Sequence, residues 1–344
     1  MVNTSPSPML IGHRGACGWR PEHSTGAYRL AFAQGVDAVE PDIVVSRDGV
    51  LVVRHECEIG STTDIAQRPE FASYRTTKTI DGETLTGWFA EDLTWEQLSQ
   101  LRCIERLPHI RTANTAYDGI EPLLRLSDLL QLTAAESAKH GTEFNLVIEL
   151  KHVSYLASQG YDLPRLLCDE LLEGGWHLTP ERVIIECFEL TALQALKRMG
   201  APYQLIFLLE HEGHPADDAS HSYTWYRSDA GLAYLRHNVA GISVDKQTLL
   251  QSQQSATTAG AVSPAKAAPH QAALANLAKT HGLQLYTWTL RPENEFLEPL
   301  NRSSEPAAAF GNWQQEWRDV LATGVDAVFV DHPALFREML SEAI

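Results

Sequence analysis

The chain has only five cysteines in 344 residues (Cys17, Cys57, Cys103, Cys168 and Cys187), and they are odd in number, widely spaced and without a CxxC pair. That spacing excludes a zinc ribbon or a dithiol redox motif and fits a reduced compartment. Positive charge is also scarce: 27 Lys and Arg stand against 44 Asp and Glu, a formal charge of -17. Such a field repels nucleic acid and anionic lipid, so neither is an expected partner and any phosphate must be bound by local groups. No apolar run approaches the roughly 20 residues that span a bilayer, so no stable membrane insertion is expected. The amino terminus, MVNTSPSPML, lacks a cationic start followed by an apolar stretch. No secretory leader is visible, and the sequence as written reads as cytoplasmic; a periplasmic or secreted protein whose leader had been removed would look the same. Oligomeric state leaves no signal.

What is present is core material, with 44% hydrophobic and 21% charged residues. The composition is that of a globular protein, and the length allows either one large α/β barrel or two domains. Eight short, nearly continuous apolar runs decide between them: 9–13, 38–45, 145–150, 182–188, 203–209, 241–245, 283–289 and 326–331. Runs of this kind are buried on both faces, as in parallel sheets, and helical patterns separate them. Eight such units predict a closed (β/α) barrel. Gly35, Gly282 and Gly324 each stand between a helical stretch and a strand, where a left-handed cap is needed. GVDAV, at 35–39 and again at 324–328, is one helix-cap-strand geometry used twice. Residues 57–123 have no place in the alternation and predict an inserted capping subdomain. Within it Thr94 and Gln97 form a capping box, and Tyr74, Trp88 and Phe89 offer apolar cover. The small, polar stretch 251–269 reads as a surface loop.

The second run, VDAVEPDIVV, holds two carboxylates. Alternation places Glu40 and Asp42 on one face, and Pro41, which lacks an amide hydrogen, predicts that the strand ends there. The pair then lies at the carboxyl end, where barrel enzymes carry their chemistry. Glu149 ends the third run, with Lys151 two residues on and facing the same way. Three oxygen donors without a thiolate favour one hard divalent cation, Ca²⁺ or Mg²⁺. The competing account is a set of structural salt bridges with arginines. His13, followed by Arg14, and His55 also terminate apolar runs, which converge at one mouth in a barrel. Two imidazoles, an arginine, a lysine and a cation suit an anionic phosphodiester.

These features come in a definite order along the chain, through GHRGACGWRPEHS, VEPDIVVSRDGVLVVRHE, the IELK run, ECFE, YTWTL and VDAVFVDHP. In that order the chain resembles the glycerophosphodiester phosphodiesterase family, in particular its larger bacterial periplasmic-type members. The resemblance implies a TIM (β/α)8 barrel with a small subdomain inserted after the second strand region. It implies His13 and His55 as the acid-base pair, and Glu40, Asp42 and Glu149 as ligands of the cation. It also implies Arg14 and Lys151 on the phosphate, and Trp288 near the glycerol pocket, against a plain packing role for that ring. The implied substrate is a small glycerophosphodiester, cleaved to glycerol 3-phosphate and an alcohol. The rival readings are a lysophospholipase D or phospholipase C-like lipid phosphodiesterase, and a non-catalytic phosphodiester-binding protein. Two departures from the family pattern stand out. Glu56 replaces an expected Asp after His55, and His23-Ser24 follows Pro21-Glu22, with Glu22 expected to orient the site and His23 to cap the next helix.

Overall fold

The computed structural model describes residues 7–250 and 273–342. Its strands are β1 (Met9–His13), β2 (Ala38–Glu40), β3 (Asp42–Val45), β4 (Leu51–Val53), β5 (Thr76–Ile80), β6 (Glu83–Gly87), β7 (Asn145–Leu150), β8 (Val183–Cys187), β9 (Gln204–Leu209), β10 (Gly241–Asp245), β11 (Gln284–Leu290) and β12 (Ala327–Val330). All eight apolar runs are parallel staves. β1 pairs with β12 on one side and β2 on the other, β2 pairs with β7, and β7 through β12 follow in order, closing the ring. Helices surround it, so the fold is a TIM barrel, as the eight β-branched runs require.

Inward-facing side chains plug the barrel: Ile11, Ala38, Val147, Ile184, Ile206, Tyr286 and Ala327, with Phe329 two residues further along its stave. Strand side chains repeat every second residue, so one step further along each stave is the next inward layer. That layer is His13, Glu40, Glu149, Glu186, Leu208, Trp288 and Phe329. On four of these staves the change from apolar to ionisable therefore occurs within one step, at the carboxyl ends.

β2 ends at Glu40, where Pro41 predicts it, and a second strand, β3, starts directly after the proline. The Pro41 carbonyl still accepts from the Glu149 amide at 2.9 Å. Beyond it β3 leaves β1, keeps its pairing with β7 (Asp42 opposite Glu149) and takes β4 as a new antiparallel neighbour. A proline at this point costs no ladder bond to β1, because that side of the sheet is opening. The excursion also brings His55 into place. β3 rises above the barrel, turns, and β4 descends until the Arg54 amide meets the Asp42 carbonyl at 3.0 Å. His55 thus arrives at the mouth from an antiparallel strand outside the ring of staves.

Residues 57–123 form short 3-10 turns, the β5–β6 hairpin and one helical turn capped by Thr94 and Gln97, a reciprocal capping box. Phe89 is buried, and Tyr74 and Trp88 pack at the edge of the core. This segment has no core of its own: Cys57, Ile59, Phe71, Leu98 and Cys103 belong to the same cluster as Leu10, Val44 and Leu146 of the barrel. Gly35, Gly282 and Gly324 have φ of 76°, 72° and 86°, the left-handed conformation that strand entry needs after a helix. The predicted loop 251–269 lies outside the described residues. Among the described residues no helix is long and apolar enough to cross a membrane.

Candidate active site

A cavity of about 1040 Å³ opens at the carboxyl ends of the staves, and His13, Arg14, Glu40, His55, Glu149, Lys151 and Trp288 all line it. Asp42, the remaining predicted residue, is fully buried in the floor beside them. The structure therefore gathers all eight sequence-derived site residues around one space.

Glu40, Asp42 and Glu149 offer oxygens that lie within 4.8 Å of one another. Neighbouring strands account for this, since Asp42 stands opposite Glu149 and Glu40 opposite His13. Asp42 Oδ2 accepts from His23 Nε2 at 2.9 Å and lies 3.3 Å from Arg14 Nε, whereas Asp42 Oδ1 has no hydrogen-bond partner. Glu40 accepts the Arg14 amide at 2.8 Å and has no ion pair among the described residues. Lys151 Nζ lies 2.6 Å from Glu149 Oε1 and 3.7 Å from Asp42 Oδ1. Burial, then the Asp42 charge, pushes the Glu40 carboxyl well above its ordinary range. Burial likewise lifts Glu149 to about 8, with Asp42 adding to the rise and Lys151 opposing it. Burial opposes the charge on Asp42, yet His55, Lys151 and Arg14 hold it well below the usual range. Two cations among three crowded acids do not satisfy the group, as the bare Asp42 Oδ1 and the unpaired Glu40 testify. An all-oxygen set with an orphaned buried atom fits a hard divalent ion.

The histidines are held alike from behind. His13 Nδ1 lies 2.6 Å from Asp331 Oδ1, and Asp331 Oδ2 takes Arg111 Nη2 at 2.6 Å and Arg291 Nε at 2.8 Å. His55 Nδ1 lies 2.5 Å from Glu56 Oε1, and Arg106 bridges Glu56 to Glu22, which also binds Arg14 at 3.0 Å. An ionised carboxylate only accepts, so each Nδ1 carries the proton and each Nε2 is left bare. Lys151 Nζ approaches His55 Nε2 at 3.1 Å. Burial first, then the Arg14 charge, lowers His13 to about 4 and His55 to about 3, against the pull of Asp331 on His13 and of Asp42 and Glu56 on His55. Both rings are neutral at neutral pH and ready to accept a proton. Burial opposes the Lys151 charge, but Glu149 and Asp42 hold the ammonium above its ordinary range.

Two details correct the sequence expectations. His23 does not cap the following helix, Thr25–Ala33; Ser24 does, its Oγ accepting the Ala27 amide at 3.1 Å. His23 is instead fully buried between Asp42 and the Tyr28 hydroxyl, which lies 2.8 Å from its Nδ1, and so fixes Asp42. Asp331 and Glu186 were not singled out from the sequence, although Asp331 ends an apolar run as His13 does and Glu186 interrupts one two residues before its end, and those positions were the available signal. Arg106 and Arg111 lie in the irregular insertion, where no periodicity marks them.

The model of the glycerophosphoryl diester phosphodiesterase family matches residues 13–335. Glycerophosphodiester phosphodiesterase GDPD6 of Arabidopsis thaliana is 27% identical over 340 residues, covering 94% of this chain and 83% of its own. The glycerophosphodiester phosphodiesterase of Treponema pallidum is 24% identical, covering 77% and 78%. An Oleispira antarctica phosphodiesterase solved with its product sn-glycerol-3-phosphate shares the fold with a TM-score of 0.61 at 16% identity, over 97% of both chains. A glycerophosphodiester phosphodiesterase from Agrobacterium tumefaciens gives 0.59 at 16% identity, over 96% of this chain and 99% of that one. With the mouth of the barrel built as it is and the family model spanning nearly all of it, the chain belongs to the glycerophosphoryl diester phosphodiesterase family, a family of phosphoric diester hydrolases.

Proposed function

We infer that the protein hydrolyses small glycerophosphodiesters to glycerol 3-phosphate and an alcohol, with His13 and His55 exchanging protons and one divalent cation, Ca²⁺ or Mg²⁺, held by Glu40, Asp42 and Glu149. The observation that carries this reading is the common cavity: two neutral imidazoles, each locked by a carboxylate, share it with Arg14, Lys151 and the acid trio. Arg14 and Lys151 neutralise the non-bridging oxygens of the bound diester, and Trp288, edge-on to Phe188 at 5.7 Å, walls the glycerol. One histidine takes the proton of the glycerol 2-hydroxyl as it attacks phosphorus in line. The other, which takes up a proton at Nε2 when the bound anionic diester raises its basicity, gives that proton to the departing alkoxide. Water then opens the cyclic phosphate with the two roles reversed. The cation, when bound, supplies a template and a Lewis acid for the phosphoryl group.

The acids of the cavity lining favour a polar alcohol over an acyl chain. Glu210, Glu212, Asp245, Glu295 and Glu298 are among its residues. Carboxylates there suit the cationic headgroups of glycerophosphocholine or glycerophosphoethanolamine and oppose a lipid tail. The experiment is choline release from glycerophosphocholine, with and without EDTA, by wild type and by His13→Ala and His55→Ala. Each variant is expected to lose about 100-fold or more in kcat. Full activity in either removes that histidine from the mechanism, and indifference to chelation removes the cation.

A further inference from the structure

We propose that Glu186 is a fourth carboxylate of the cation site, bound to the ion through a water and set there to raise its affinity without touching the phosphodiester. This rests on the cation-dependent reading above. Glu186 lies directly opposite Glu149 on the adjacent stave and belongs to the same inward layer as His13, Glu40 and Trp288. It is 1% exposed, yet it lines the cavity. Its Oε2 has no hydrogen-bond partner, and among the described residues the side chain makes no ion pair.

A buried carboxylate in that condition is costly. Volume does not require it, because its register partner on the next stave is the apolar Ile206. The protein cation nearest to hand is already committed: Lys151 engages Glu149 at 2.6 Å, His55 at 3.1 Å and Asp42 at 3.7 Å. The charges that press on Glu186 most are Glu149 and Asp42, of its own sign. A positive charge is therefore wanted at this corner, and the acid trio is where a divalent ion fits. Glu186 stands outside the set of three whose oxygens lie mutually within 4.8 Å. An oxygen too far for direct ligation reaches the ion through one of the waters that complete its shell, as hard divalent cations commonly retain some.

The test is calorimetric titration of EDTA-stripped, dialysed protein with CaCl2 and, separately, MgCl2. Glu186→Gln keeps shape and removes charge. It is expected to bind the preferred ion about 10- to 100-fold more weakly than wild type, the effect typical of an outer-shell partner. Stripped of metal, the same variant is expected to melt no lower than wild type, because a buried, unpaired acid has been replaced by a neutral amide of the same shape, while the rise in Tm on adding the ion shrinks. Glu186→Asp, which keeps the charge on a shorter arm, is expected to bind more tightly than Glu186→Gln. A purely structural role would lower the melting temperature of the stripped variant and leave affinity alone. If wild type binds the ion and Glu186→Gln binds it within about threefold, the role of Glu186 is overturned and the trio stands. If wild type binds neither ion, the cation-dependent reading and this inference fall together.

Discussion

At the scale of single residues, the site works by holding charges where water alone would not leave them. Asp331 keeps the His13 ring in one tautomer while Arg111 and Arg291 keep Asp331 ionised well below the usual range, although burial opposes it. Asp331→Asn offers Nδ1 an amide that can donate, which frees the ring, leaves Arg291 without its anion and leaves Arg111 with Glu293 alone. The expected loss in kcat/KM is at least about 100-fold, with substrate binding changed less, read from steady-state kinetics on glycerophosphocholine. A second prediction concerns protons on the acids. Burial lifts Glu149 to about 8 in the ion-free protein, so below that pH the carboxyl is mostly protonated and a cation must displace the proton. Affinity for the ion therefore rises with pH, by up to about tenfold per unit between pH 6 and 8 for one displaced proton, and levels off above. Calorimetry at pH 6, 7 and 8 measures it, and proton release should decline over the same range.

Among the elements, two short ones position the chemistry. The loop from Arg14 to Ser24 carries Arg14, Glu22 and His23 and is tied to the helix Thr25–Ala33 by Ser24, whose Oγ also donates to the Pro21 carbonyl at 2.7 Å. Ser24→Ala removes both bonds. The expected cost is about 1 kcal/mol of stability in urea denaturation with an unchanged m-value, the usual worth of an N-cap. The second element is the β3–β4 excursion. Its β-branched residues and Gly49, at φ 83°, are plain in the sequence, but its pairing partner is not, since nothing local says that the strand will outrun the barrel after Pro41. The eight staves were legible because each is apolar on both faces and bounded by turn residues. The insertion was legible only as an interruption, because 3-10 turns have no strong periodicity and its burial depends on the barrel surface beneath it.

For the whole molecule, the closed ring separates stability from catalysis by one layer. Ile184 sits in the apolar plug, two residues below Glu186, and is 2% exposed. Ile184→Ala should cost about 2–5 kcal/mol in urea denaturation while kcat at 25 °C stays within about threefold of wild type, because the cavity lies beneath the reacting layer. The sequence by itself determined the number of staves, the residue types at their ends and the order of His13, Glu40, Asp42, His55, Glu149 and Lys151, since periodicity and strand termini are local properties of a chain. Only the tertiary structure decided which carboxylate backs which imidazole, that Arg106 and Arg111 come from the insertion to hold those carboxylates, and that Glu186 is left unpaired. Those pairings join residues up to 318 positions apart, as His13 and Asp331 are, and a contact across that separation is set by closure of the barrel and by no pattern along the chain.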